Sequence, residues 1–137
     1  MGKRVHVATK YSVSYDSSEG FNWKNYEVKS LLRSLNVDIC EEDEEGYSDN
    51  WECSKEEFDK ALKFLKKYKN EIYNYEEYEE DNRVAFQDIC LEDVYDDIMS
   101  LECGVDFDSS YDYIIDMFES WKKQRARGCD YMHFAAF

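Results

Sequence analysis

The chain predicts an α+β fold: a small, mostly antiparallel sheet that includes the N- and C-terminal strands, packed with about four helices. Three observations predict it. Residues 4–15 alternate in polarity as a half-buried strand does, the middle of the chain repeats the three- and four-residue apolar spacings of helices, and residues 131–137 are apolar on both sides. With 137 residues, 43% of them hydrophobic, the chain supplies one sizeable core, so 1–137 is expected to be a single domain.

In residues 4–15 the odd positions read Val5, Val7, Thr9, Tyr11, Val13, Tyr15 and the even ones Arg4, His6, Ala8, Lys10, Ser12, Ser14. That pattern gives one long strand, or two strands joined within it, and the polar run 16–20 ends it as a turn. A helix over about 23–35 follows, with Val28, Leu31, Leu32 and Leu35 on its buried stripe and Asn36 as its stop. Short strands are expected at 37–40 and 50–53, on either side of an acidic loop. Ser54 and Glu57 form a capping box that opens the next helix. Phe58, Ala61, Leu65, Tyr68, Ile72 and Tyr75 then keep helical spacing, which favours one helix unbroken toward Glu80, the alternative being a break near Asn70. A brief strand at 83–86 precedes a helix carrying Leu91, Val94, Tyr95, Ile98 and Leu101, ended by Gly104 in the left-handed conformation. The last helix is capped by Asp108 or Ser109, buries Tyr111, Ile114, Ile115, Phe118 and Trp121, and stops at Gly128. Residues 131–137 read as a strand covered on both faces, beside the first one.

Charge narrows the function classes. Thirty-two acidic residues against 17 Lys and Arg give a net charge of −15, which opposes direct binding to nucleic acid or to an anionic membrane. The partners such a field attracts are cations, including the groove of a protein that normally holds DNA or RNA. Aromatic residues make up 17% of the chain, more ring area than one core of this size needs, so some rings are expected at the surface. Five scattered Cys, without a CxxC pair or an apolar leader, read as reduced thiols in a cytoplasm, and no apolar stretch is long enough to span a membrane.

Catalytic constellations are sparse. His6 and His133 are the only imidazoles, and they meet if the first and last strands pair, with Cys129 or Cys103 as further candidates for a dyad or a partial metal site. Asp106, Asp108, Ser110 and Asp112 resemble calcium-loop spacing but lack the sixth-position Gly and the twelfth-position Glu. Asp96 and Asp97 read as the solvent face of a helix. No phosphate-cradling Gly motif occurs, so no cofactor is expected. The cations from Lys122 to Arg127 are too few for a nucleic-acid site and are expected to pair with neighbouring carboxylates.

Negative charge concentrates in two stretches. One is the loop Glu41, Glu42, Asp43, Glu44 and Glu45; the other is the Tyr-rich helix end Tyr75, Glu76, Glu77, Tyr78, Glu79, Glu80 and Asp81. Carboxylates three and four apart on a helix lie about 5–6 Å from each other, close to the spacing of backbone phosphates, so such a face acts as a nucleic-acid mimic with Tyr anchors. These residues are the expected contact surface for a basic protein, a nuclease or another nucleic-acid-binding effector. In size, charge and aromatic content the chain resembles the acidic inhibitors of phages and mobile elements, of anti-restriction or anti-CRISPR type, and toxin immunity proteins. No motif carries that resemblance. The expected function is non-enzymatic inhibition. The alternatives are a metal-assisted enzyme using its acidic residues, or an adaptor module that forms homo-oligomers through exposed rings.

Overall fold

The protein is described by a computed structural model, which covers residues 5–10, 14–15, 25–41, 50–78, 86, 88–125 and 127–136. The alternating N-terminal stretch is two strands, β1 (Val5–Lys10) and β2 (Ser14–Tyr15), paired antiparallel with a register shift between Ala8 and Lys10. β3 (Cys40–Glu41) and β4 (Asn50–Ser54) pair antiparallel, and β5 (Tyr131–Ala136) joins the two halves. The order is β2-β1-β5-β4-β3, with β5 antiparallel to both β1 and β4. The first and last strands therefore lie side by side, as their patterns predict.

Among the described residues, the core lies on one face of this sheet. Trp51 stands opposite Phe134 and Cys53 opposite Met132, and all four are buried. Glu52 and His133 face each other on the opposite side, where Tyr131 is 49% exposed. Alternation sends His133 and Tyr131 to the side away from these rings, so of the two faces expected to be covered the second is partly covered at His133 and open at Tyr131 among the described residues. Rings dominate the packed side. Trp51 stacks on Phe134 at 4.1 Å, Trp121 meets Phe134 edge-on at 5.2 Å, and Phe58 lies 5.1 Å from Phe118.

α1 (Asn25–Ser34) ends in a Schellman motif. Asn36 takes φ 66°, its N–H donates to the Arg33 carbonyl at 3.0 Å, and the Val37 N–H donates to the Leu32 carbonyl at 2.9 Å. This shortens the strand expected at 37–40 to β3, because the Val37 N–H closes the helix and the Asp38 N–H donates to Glu57 Oε1 at 3.1 Å. Glu57 therefore does not complete a capping box; the Ser54 hydroxyl alone accepts the Glu57 N–H, at 3.4 Å.

The long helix expected over 54–80 is broken twice. α2 (Lys55–Lys67) stops at Tyr68 (φ −114°, ψ 28°), α3 (Lys69–Tyr73) stops at Asn74 (φ −104°, ψ 38°), and a 3₁₀ turn covers Tyr75–Tyr78. Tyr68 packs on Phe64 at 4.7 Å and edge-on to Phe86 at 5.2 Å, so tertiary packing fixes the first break. At the second, Asn74 sends both its backbone N–H and its side-chain amide to the Asn70 carbonyl, a local bond that competes with helix continuation. The first break leaves terminal carbonyls of α2 in need of donors, and the buried Tyr111 hydroxyl donates to that of Leu65.

α4 (Leu91–Ser100) packs on α1, fastened by the Ser30 and Ser34 hydroxyls, which both donate to the Asp97 carboxylate. Past α4 the left-handed residue is Glu102 (φ 50°), not Gly104. Gly104 is required for a close approach instead: a Cβ there would stand 2.4 Å from the Ser110 nitrogen. α5 (Phe107–Gln124) is capped by Asp106, not by Asp108 or Ser109; Asp106 Oδ1 accepts the Ser109 N–H at 2.8 Å and Ser109 Oγ accepts the Asp106 N–H at 3.2 Å. Its inner face is the expected one, with Phe107 and Met117 added and Ile115 half-buried. Gly128, with φ 85°, lies in the turn toward β5 and does not end α5, which stops at Gln124. The strand expected at 83–86 lies outside the described residues except for Phe86, which is buried in a 3₁₀ turn.

Candidate protein-binding surface

The two helix breaks carry the chain from α3 through the 3₁₀ turn across α4, and this builds a surface no single segment provides. Its backbone is a run of rings. Tyr75 lies 5.3 Å from Tyr95, Tyr95 stacks on Phe107 at 5.2 Å, and Phe107 touches Tyr73 at 5.2 Å and Tyr111 at 5.3 Å. Phe107 and Tyr111 are buried, Tyr75 and Tyr95 half-buried, and Tyr73 is 57% exposed. Carboxylates edge the run. Glu76 and Glu77 are exposed on the 3₁₀ turn, Glu92, Asp93 and Asp96 on α4, and Asp106, Asp108 and Asp112 around the start of α5.

Charge and ring are coupled at Tyr75. Partial burial, then the carboxylates of Glu92, Glu76 and Asp96, push its phenol above the usual tyrosine range. The hydroxyl therefore stays protonated as a donor within a negative field. Asp106 moves the other way, because the Ser109 N–H and hydroxyl favour its ionised form. Lys69 tempers one side, 3.2 Å from Asp108 and 3.7 Å from Asp112, with its ammonium 5.7 Å from the Tyr111 ring centre.

Of the sequence-predicted contact residues, Tyr75, Glu76, Glu77 and Tyr78 lie on this surface or its border, in a 3₁₀ turn and not in the α-helix on which the phosphate-spacing argument rested. Tyr78 turns inward, edge-on to Phe86 at 5.6 Å. Glu79, Glu80 and Asp81, like Glu42, Asp43, Glu44 and Glu45, lie outside the described residues; Glu41 belongs to β3, paired with Trp51. Sequence reasoning reaches Tyr73 as part of the Tyr-rich stretch but misses Tyr95, Phe107, Glu92 and Asp96 as members. Glu92 and Asp96 stand four apart on the exposed side of α4, a visible signal, but their meeting with Tyr75 depends on the packing of the 3₁₀ turn against α4.

Other constellations are occupied. His133 Nδ1 lies 3.2 Å from Glu52 Oε1, and His6 pairs with Ala135, two residues along β5 from His133. The Cys129 thiol contacts the Tyr131 carbonyl and the Cys103 thiol that of Ser110. Burial pushes the Cys53 thiol up, which makes it inert as a nucleophile. Asp106 is a helix cap while Asp108 and Asp112 hold Lys69, and among the described residues no group of three or more His, Cys, Asp or Glu is placed to hold a metal ion. Nor is any helix among them long and apolar enough to cross a membrane.

Compared with models of protein families, with curated proteins and with solved structures, the chain gives no match.

Proposed function

We infer that the protein is a non-enzymatic binding protein of the cytoplasm that inhibits a basic, nucleic-acid-handling protein by covering its cationic surface. The observation that carries this is the ring run Tyr75–Tyr95–Phe107–Tyr73 set among the Glu76, Glu92 and Asp96 carboxylates. Carboxylates alone steer a cationic partner and speed its arrival; they give little lasting affinity in water. Rings held rigid by their neighbours supply the desolvated contact that slows departure, at little cost in side-chain entropy. Tyr73, exposed yet braced on Phe107, is the natural anchor.

The test is competition. Labelled duplex DNA is bound to nucleases and other basic nucleic-acid-binding proteins of the source cell, and its anisotropy is followed as the chain is added. Displacement is expected from one of them, weakening as salt rises from about 50 to about 200 mM, where the screening length falls from roughly 14 to roughly 7 Å. No displacement from any of them, or displacement indifferent to salt, would overturn the proposal.

A further inference from the structure

The cations of this acidic chain converge at the far end of α5. Lys122 and Lys123 lie in its last turn, and Arg125 and Arg127 follow it. Lys55 opens α2 there, its backbone N–H donating to the Asp130 carbonyl at 2.8 Å. Together with Gly128 these five side chains line an open cavity of about 580 Å³. The cavity falls within the size range of small-molecule sites, but its lining is cationic where such sites are mostly apolar.

Pairing with carboxylates, the fate expected for this cluster, holds for one member. Arg125 is a bidentate partner of Asp59, Nη1 to Oδ1 at 2.8 Å and Nη2 to Oδ2 at 3.2 Å. Lys122, Lys123 and Arg127 are exposed and form no ion pair with a described carboxylate. Cations in the last turn of a helix favour its dipole, which accounts for Lys122 and Lys123. It does not account for Arg127, which lies outside α5; Lys55 enters from the start of α2 and completes the ring. Gly128 faces open space, with no atom within 4 Å of where a Cβ would stand, so no side chain fills that wall.

We propose that this cavity binds a compact polyphosphate anion: several phosphates linked in a short chain, as in tripolyphosphate or the tail of a nucleoside triphosphate. Lys122, Lys123 and Arg127, which form no ion pair with a described carboxylate, supply three positive charges, which suits a linked phosphate chain better than a single phosphate. The net charge of −15 does not forbid it. α5 has 18 residues and so spans about 27 Å, which puts the acidic start of α5 some three screening lengths away at physiological salt. The cations beside the cavity set the local field.

Isothermal titration at constant ionic strength tests this with three probes: sodium tripolyphosphate, ATP and orthophosphate. Tripolyphosphate is expected to bind one per chain in the micromolar range, and orthophosphate at least tenfold more weakly. ATP binding like tripolyphosphate assigns the phosphate chain as the determinant; tighter ATP binding adds a contact for the nucleoside, and both outcomes support the site. The double variant Lys123→Ala/Arg127→Ala, at exposed positions, should keep the melting temperature of the free protein and lose at least tenfold in tripolyphosphate affinity. Asp88→Asn, at an exposed carboxylate outside both the cavity lining and the ring surface, should leave that affinity unchanged. Absent tripolyphosphate heat, equal binding by the double variant, or equal binding of orthophosphate would overturn the proposal.

Discussion

Replacing Gly104 by Ala tests how the acidic surface is positioned. A Cβ at this position meets the Ser110 nitrogen at 2.4 Å, Ser109 Oγ at 2.7 Å and the Ser109 carbonyl carbon at 2.8 Å. Two of the three are backbone atoms of the first turn of α5, so relief requires that turn to move and not a side chain to rotate. Overpacking of this kind costs about 1–3 kcal/mol. For 137 residues the entropy of unfolding is roughly 0.3 kcal/mol/K, so the midpoint of thermal unfolding should fall by about 3–10 °C. Ser109 is also the partner of the Asp106 cap, so displacing it should loosen both cap bonds. The Gly104→Ala and Asp106→Ala effects should therefore be less than additive in a double-mutant cycle, read by urea unfolding followed by circular dichroism. Glu102→Gly is the companion. It relieves a φ of 50° and adds unfolded-chain freedom, so it should change stability by less than about 1 kcal/mol. A midpoint for Gly104→Ala within 1 °C of the parent (about a third of the smallest expected shift), or fully additive effects, would refute the close-approach argument.

Three further outcomes follow from the same packing. Tyr111→Phe removes the donor to the Leu65 carbonyl and should cost about 1–2 kcal/mol by urea unfolding, since a buried acceptor loses its partner. Phe134→Ala empties the ring cluster between Trp51 and Trp121 and should cost about 3–5 kcal/mol, with a matching change in tryptophan fluorescence. The Asp106 carboxyl is held below its usual range in the folded chain, so its contribution is present above the ordinary carboxylate pKa and is lost as pH falls through the lowered native value. Asp106→Asn keeps a capping oxygen without that proton linkage; from pH 5 to about 3 it should lose less stability than the parent, and an identical loss would contradict the assignment.

Much of the fold is legible because burial imposes simple periods. Val28, Leu31, Leu32 and Leu35 mark α1, and the apolar end residues mark a strand that reaches the sheet centre beside β1. The failures have a common cause, competition between local pattern and distant contact. Tyr68 and Ile72 keep the helical spacing, yet Tyr68 is drawn onto Phe86, eighteen residues away, and the helix ends. Glu57 completes a capping box on paper, but the Asp38 N–H claims its carboxylate. Asp108 and Ser109 read as caps in the sequence, but Phe107 is buried as the first residue of α5, which moves the cap back to Asp106. The candidate surface was half legible for the same reason. Charge and Tyr content point to the 75–78 segment, whereas Glu92, Asp96 and Tyr95 join it through the fold alone.

The measurement that bears most directly on the central claim compares two triple variants of equal charge. One neutralises the carboxylates around Tyr75: Glu76→Gln, Glu92→Gln and Asp96→Asn. The other neutralises exposed carboxylates elsewhere: Asp38→Asn, Glu56→Gln and Asp116→Asn. Both carry three fewer negative charges, and both should remain folded. Affinity for the basic protein from which the chain displaces DNA is then measured at fixed salt. If the ring-and-carboxylate surface is the contact, the first variant should weaken binding at least about tenfold, or about 1.4 kcal/mol, while the second stays within about twofold of the parent. Equal losses in the two variants would show that total charge, and not this surface, does the binding.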